Sequence, residues 1–192
     1  MANRIDDLMD QIHALQLEVE AELARQAADL KYGLEHGRAV FEEEVLRRHR
    51  EMQMRLSQYL ANARPLVVLT APVIYAMIVP FVILDIFVTV YQAVCFPVYG
   101  IEKVRRADYF VFDRKYLAYL NALEKLNCAY CSYANGLIAY VREIAGRTEA
   151  YWCPIKHARK TIGTHDHYRS FVPFGDADAY RQRIDDLDRG DA

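Results

Sequence analysis

Residues 1–63 contain no proline, so nothing in that stretch forbids continuous helix. Charge is what the next stretch lacks. Between Pro65 and Ile101 only Asp85 is charged, which excludes an ordinary solvated surface. Cysteine is scarce, at four in 192 residues, too few for a disulfide scaffold. Neither charge sign dominates, with 24 basic and 26 acidic residues. No motif for a nucleic acid or a nucleotide cofactor is present. A cleavable signal peptide is not expected either, because "MANRIDDLMDQIHALQLEVEAEL" is charged from its start. The length suffices for one domain with a real core, or for a small domain with an attachment.

The charges that are present are segregated. Residues 1–64 carry 9 basic and 12 acidic side chains, residues 102–160 carry 11 and 6, and the tail from Thr161 carries 4 and 7. A basic block directly after an apolar run points to anionic lipid headgroups as its partner. In residues 1–64, Ile5, Leu8, Ile12, Leu15 and Val19 recur at alternating spacings of three and four. That is a coiled-coil seam, and it predicts self-association through an N-terminal helix. The alternative is an amphipathic helix packing on its own domain. The repeat weakens through Leu23, Leu30, Leu34, Phe41 and Val45, with Gly33 and Gly37 between.

The run "PLVVLTAPVIYAMIVPFVILDIFVTVYQAVCFPVYGI" (65–101) reads as a membrane segment. As one helix it would measure roughly 55 Å against a hydrocarbon core of about 30 Å. Pro72, Pro80 and Pro97 interrupt it, and five basic residues stand on each flank. That balance favours a hairpin or re-entrant loop with both flanks inside over a single long span. Asp85 would then sit near the turn. It is read as a capped or protonated carboxylate there, or alternatively as a proton or ion site.

After the membrane, residues 102–160 predict a helical-hairpin module breaking at Asn135-Gly136. Its second helix, Leu137 to Trp152, presents Leu137, Val141, Ile144 and Thr148 on one face, and Pro154 ends it. Residues 161–192 read as an acidic, loosely ordered tail with one short helix near Tyr180 to Leu187. The expected fold class is therefore all-α: a coiled-coil helix (1–64), a membrane hairpin (65–101), a helical module (102–160) and a tail.

Cys128 and Cys131 share a helix face, with Glu124 one turn earlier, and Cys153 precedes His157 by four. Three thiols and an imidazole are the ligand types of zinc, less often of iron. An ideal hairpin would keep Cys131 and Cys153 apart, and would set Cys128 level with Glu143 and Glu124 level with Glu149. The candidate metal ligands are thus Cys128, Cys131, Cys153, His157, Glu124 and Glu143. The bland readings are cysteines as small buried apolar residues and Glu143–Arg147 as a surface ion pair. Thiol redox chemistry is a further reading, with Cys153 the better nucleophile if Pro154 opens a helix. His165 and His167 form a second, more solvated metal candidate. Six tyrosines between 116 and 151, with Trp152, suit a helix pair at headgroup level.

The stretch "FVFDRKYLAYLNALEKLNCAYCSYANGLIAYVREIAGRTEAYWCPIKHARK" resembles a group of bacterial membrane-associated proteins sharing an NCxYCSYxNG…YWCPIKHA pattern. The resemblance implies a bacterial inner-membrane setting and brings no activity with it. The expected function is a membrane-anchored, self-associating, metal-binding module with a structural or sensory role and cytoplasmic flanks. The alternatives are a metal-dependent redox enzyme at the membrane surface and a scaffold with no site.

Overall fold

A computed structural model describes residues 2–29, 32–35 and 38–189. The fold is all-α apart from one short β-hairpin, and it divides into two compact units. The first unit draws on segments from both sides of the apolar run, and the second contains the run.

The first unit comprises residues 1–63 and 113–128. It opens with α1 (Ala2–Asp29), on which Leu8, Ile12, Leu15 and Val19 are all exposed. Continuous helix over residues 1–63 is not what forms. Strands β1 (Tyr32–Glu35) and β2 (Arg38–Phe41) pair antiparallel, with Tyr32 opposite Phe41 and Glu35 opposite Arg38. The reason lies in the local residues. Gly33 inside a helix costs about 1 kcal/mol relative to Ala, while Tyr32, Val40 and Phe41 suit a strand. The dipeptide at 36–37 and the side chain of Ile5 lie outside the described residues.

Helices α2 (Glu43–Glu51) and α3 (Leu56–Asn62) follow. The His49 ring sits edge-on between Phe41 and Tyr119, at 5.2 and 5.1 Å. The Gln53 side-chain amide donates to the Leu120 carbonyl at 2.8 Å. Residues preceding the apolar run therefore touch residues following it.

The second unit comprises residues 64–112 and 129–192. The apolar run forms α4 (Pro65–Ala76) and α5 (Ile78–Tyr99). Met77 between them keeps helical dihedrals, φ −62° and ψ −13°, so the chain bends and continues. The expected membrane hairpin is replaced by one long helix, Pro65–Tyr99, long and apolar enough to cross a membrane. Its prolines do not reverse it: Pro65 starts the helix, and Pro72 and Pro97 are absorbed within turns. Gly100 ends it in the left-handed region (φ 69°), and the Ile101 amide bonds back to the Phe96 carbonyl at 2.9 Å.

Helix α6 (Ala122–Trp152) runs 31 residues straight through Asn135-Gly136, where a reversal was expected. No helical hairpin forms in residues 102–160. Gly136 serves close packing: a Cβ there would lie 2.5 Å from the Tyr109 carbonyl oxygen. Helices α5 and α6 run in the same direction, since Asp85 meets Tyr133, Gln92 meets Tyr140, and Tyr99 meets Tyr151. Residues 101–112 return between these levels, with Val104 at Gln92 and Arg106 at Asp85. Phe96, Val104, Leu137, Tyr140 and Ile144 form the buried centre.

The tail is more ordered than its composition suggests. The Val172 amide donates to the Pro154 carbonyl and the Lys156 amide to the Val172 carbonyl, both at 2.8 Å. Residues 166–170 make a 3-10 turn, and α7 (Ala177–Arg189) is longer than the short helix expected there.

Candidate functional site

The six expected metal ligands are dispersed. Glu124 has a structural task, because its carboxylate accepts from the Asn121 amide at 2.8 Å. The Asn121 side-chain oxygen in turn accepts from the amides of Leu123 and Glu124, both at 3.0 Å. This reciprocal pair is a capping box that starts α6. It was readable in "NALE" as Asn-x-x-Glu.

Cys128 and Cys131 lie on α6, half-buried and exposed respectively, and Cys153 follows its last residue. One continuous helix separates Cys131 from Cys153 by roughly 33 Å along the axis, and Cys128 from Glu143 by roughly 22 Å. The thiols and His157 are therefore not brought together within one chain. The level pairing of Glu124 with Glu149 depended on the same reversal and does not occur. The His157 ring stacks on Tyr168 at 6.0 Å, and its backbone amide donates to the Tyr168 hydroxyl at 2.7 Å. Among the described residues no group of three or more His, Cys, Asp or Glu side chains has metal-holding geometry.

What the structure does assemble lies on the outer side of α6. Glu143 accepts from Arg147 at 2.8 Å and sits 3.0 Å from the His167 ring nitrogen Nε2. Two turns on, Glu149 pairs with His165 Nε2 at 2.8 Å. The His165 ring lies against Gly146, where a Cβ would come within 2.7 Å of it. Arg142 donates to the Thr164 carbonyl beside them. Helical spacing explains the grouping: positions 142, 143, 146 and 149 occupy neighbouring surface of α6. The loop 161–170 lays its two histidines across that surface.

Burial pushes the Glu143 carboxyl up, but hydrogen bonds from Arg147 and His167 more than offset this and hold it below the ordinary glutamate value. Burial also raises the nearby Tyr109 hydroxyl, with the Glu143 charge adding to it. Tyr109, Ala139, Arg142, Glu143, His165 and Asp166 line a cleft of about 170 Å³. The two imidazole–carboxylate pairs latch residues 164–168 to α6. The sequence offers His165 and His167 as candidates, and nothing in their spacing pairs them with Glu149 and Glu143.

A second polar cluster lies along α5. Asp85 receives both arms of the Arg106 guanidinium, one at 2.7 Å, and the Tyr133 hydroxyl at 2.9 Å. The Arg106 guanidinium also lies 4.0 Å above the Phe110 ring centre. The one charge in the apolar run is thus a capped carboxylate, with its partner supplied by the returning chain. One step along, Gln92 donates to Tyr140 at 2.6 Å and accepts from the Val104 amide at 2.6 Å. Tyr91 and Thr148 are hydroxyl to hydroxyl at 3.0 Å. These bonds satisfy every polar side chain named on the covered side of α5. No protein-family model matches this chain, and no curated protein or solved structure matches it either.

Proposed function

We propose that this chain is a membrane-attached, self-associating helical protein of the bacterial inner membrane, with a structural or sensory role on the cytoplasmic side. The observation carrying this is the long uncovered apolar surface of α4 and α5. Leu69, Val73, Phe87 and Val98 are each about 70 % exposed or more, and leaving such side chains in water costs on the order of 1.5–3 kcal/mol each. Self-association is supported by the seam on α1, where Leu8, Ile12, Leu15 and Val19 are all exposed. The sensory side of the reading rests on the two His–Glu pairs, which fasten residues 164–168 to α6.

A zinc or iron centre built from Cys128, Cys131, Cys153 and His157 belongs to this reading only as one shared between chains. Extraction tests the attachment. The protein should stay with membranes through high salt and alkaline carbonate and leave them only in detergent. Release by salt alone would sink the membrane reading.

A further inference from the structure

The long apolar helix satisfies the length and composition of a membrane span, yet its surroundings are incompatible with one. We infer that α4 and α5 lie along one leaflet of an anionic phospholipid bilayer, with their uncovered side among the acyl chains, and do not cross it. This rests on the proposed membrane attachment and specifies its geometry.

Three observations carry the inference. The first is the company α5 keeps. Arg106 is bonded to Asp85, and Arg147 bonds the Glu102 carbonyl near the C-terminal end of the helix. A transbilayer α5 would drag Lys103, Arg105, Arg106 and Asp108 into the hydrocarbon with it, and Arg105 is 80 % exposed. Each such charge is costly there.

The second is the position of the flanks. His49 and Gln53 precede the run, and they touch Tyr119 and Leu120, which follow it. Both flanks therefore stand on one side of any bilayer. If residues 65–84 alone crossed, Asp85 and Arg106 would lie on the far side. The chain would then have to return before Tyr119, carrying Asp108, Asp113, Arg114 and Lys115 through the membrane.

The third is the pattern of cover. Along Pro65–Tyr99 the partly or fully covered positions, among them Tyr75, Phe81, Asp85, Val88, Gln92 and Phe96, follow helical spacing and make one stripe. Val79, Val82, Ile83, Ile86, Phe87, Val90, Val94 and the other positions off that stripe are exposed and overwhelmingly apolar. One side thus carries Asp85 and Gln92 with their partners, and the other is apolar apart from Thr70 and Thr89. An in-plane helix buries such an apolar side at the boundary of headgroups and acyl chains.

Lipid suits this side better than a second copy of the chain because of what rims it. Tyr99, Tyr151 and Trp152 cluster at the C-terminal end with centroids about 5.2–5.3 Å apart, and Trp152 is half exposed. Such aromatic groups favour the headgroup level. The adjoining residues 102–160 carry 11 basic side chains against 6 acidic, complementary to anionic headgroups.

The test uses the full chain diluted from detergent onto preformed vesicles of phosphatidylcholine with phosphatidylglycerol. Flotation reads attachment. Cysteines placed singly at Gln58 and Asp108, with the native cysteines changed to serine, read sidedness; nitroxides at Val79, Phe87 and Val94 read depth. The inference expects flotation, reaction of both cysteines with an impermeant thiol reagent outside, and all three nitroxides within one leaflet. Phe87→Lys should lower flotation about tenfold or more, with an unchanged far-ultraviolet circular dichroism spectrum. Flotation with only one cysteine labelled, or with nitroxides spread through both leaflets, would overturn the in-plane geometry and leave attachment standing. Absence of flotation would overturn both, and a disulfide between two copies of the Phe87→Cys variant would then assign this side to self-association.

Discussion

Gly136 and Gly146 are both helical glycines on α6, and they fill different roles. A Cβ at Gly136 would press on the backbone of Tyr109, which cannot swing aside. Gly136→Ala should therefore destabilise the protein by about 1–3 kcal/mol in urea unfolding, although alanine is the better helix former. At Gly146 the obstacle is the His165 side chain, which can rotate away. Gly146→Ala should leave α6 intact and free the loop at 161–170, seen as faster proteolysis there. Glu143 adds a pH dependence with a definite sign. Its folded-state pKa is depressed, so its contribution is fully present above the unfolded glutamate pKa of about 4.3 and fades as pH falls through the lower folded value. Glu143→Gln should flatten stability against pH below about pH 4.3 when followed by thermal melting.

At the level of elements, the start of α6 is set by Asn121 and Glu124. Asn121→Ala should cost about 1 kcal/mol, with Glu124→Gln losing less because an amide can still accept. Neither should alter the content of any metal, measured by elemental analysis; a loss of metal with Glu124→Gln would restore it as a ligand. The helical character of α6, α7 and the apolar run was legible from spacing and the placing of proline. The two reversals expected at Asn135-Gly136 and near Pro80 were not there. Local turn propensity lost in both cases to a tertiary condition: a backbone contact needing glycine at 136, and a covered stripe running unbroken along α4 and α5. The β-hairpin at 32–41 was missed although Gly33 and Gly37 had already weakened the helical repeat.

For the whole molecule, two assembly surfaces are separable by mutation. Replacing Leu8, Ile12 and Leu15 with serine should lower the oligomer mass in detergent while leaving membrane attachment unchanged. Light scattering reads the mass, and an unchanged value would remove α1 from assembly. The same variant tests the shared-metal idea. The long α6 keeps Cys131 and Cys153 roughly 33 Å apart in one chain, so any centre using both needs a partner and its metal should fall with the oligomer. Metal retained in a monomer would show that a different ligand set holds it.

Composition and spacing determined by themselves that the chain is helical, that residues 65–101 seek an apolar medium, and that charge is divided among blocks. Those properties are local, summed along a few turns of helix. Only the tertiary structure decided that Asp85 is neutralised by Arg106, that His165 and His167 meet Glu149 and Glu143, and that the cysteines stay apart. The cysteines stay apart because the chain continues through Gly136, packed against the Tyr109 carbonyl, where the sequence spelled a turn. The Asp85 and His–Glu pairings form because residues 101–112 and 161–170 fold back on α5 and α6, contacts between positions far apart in sequence.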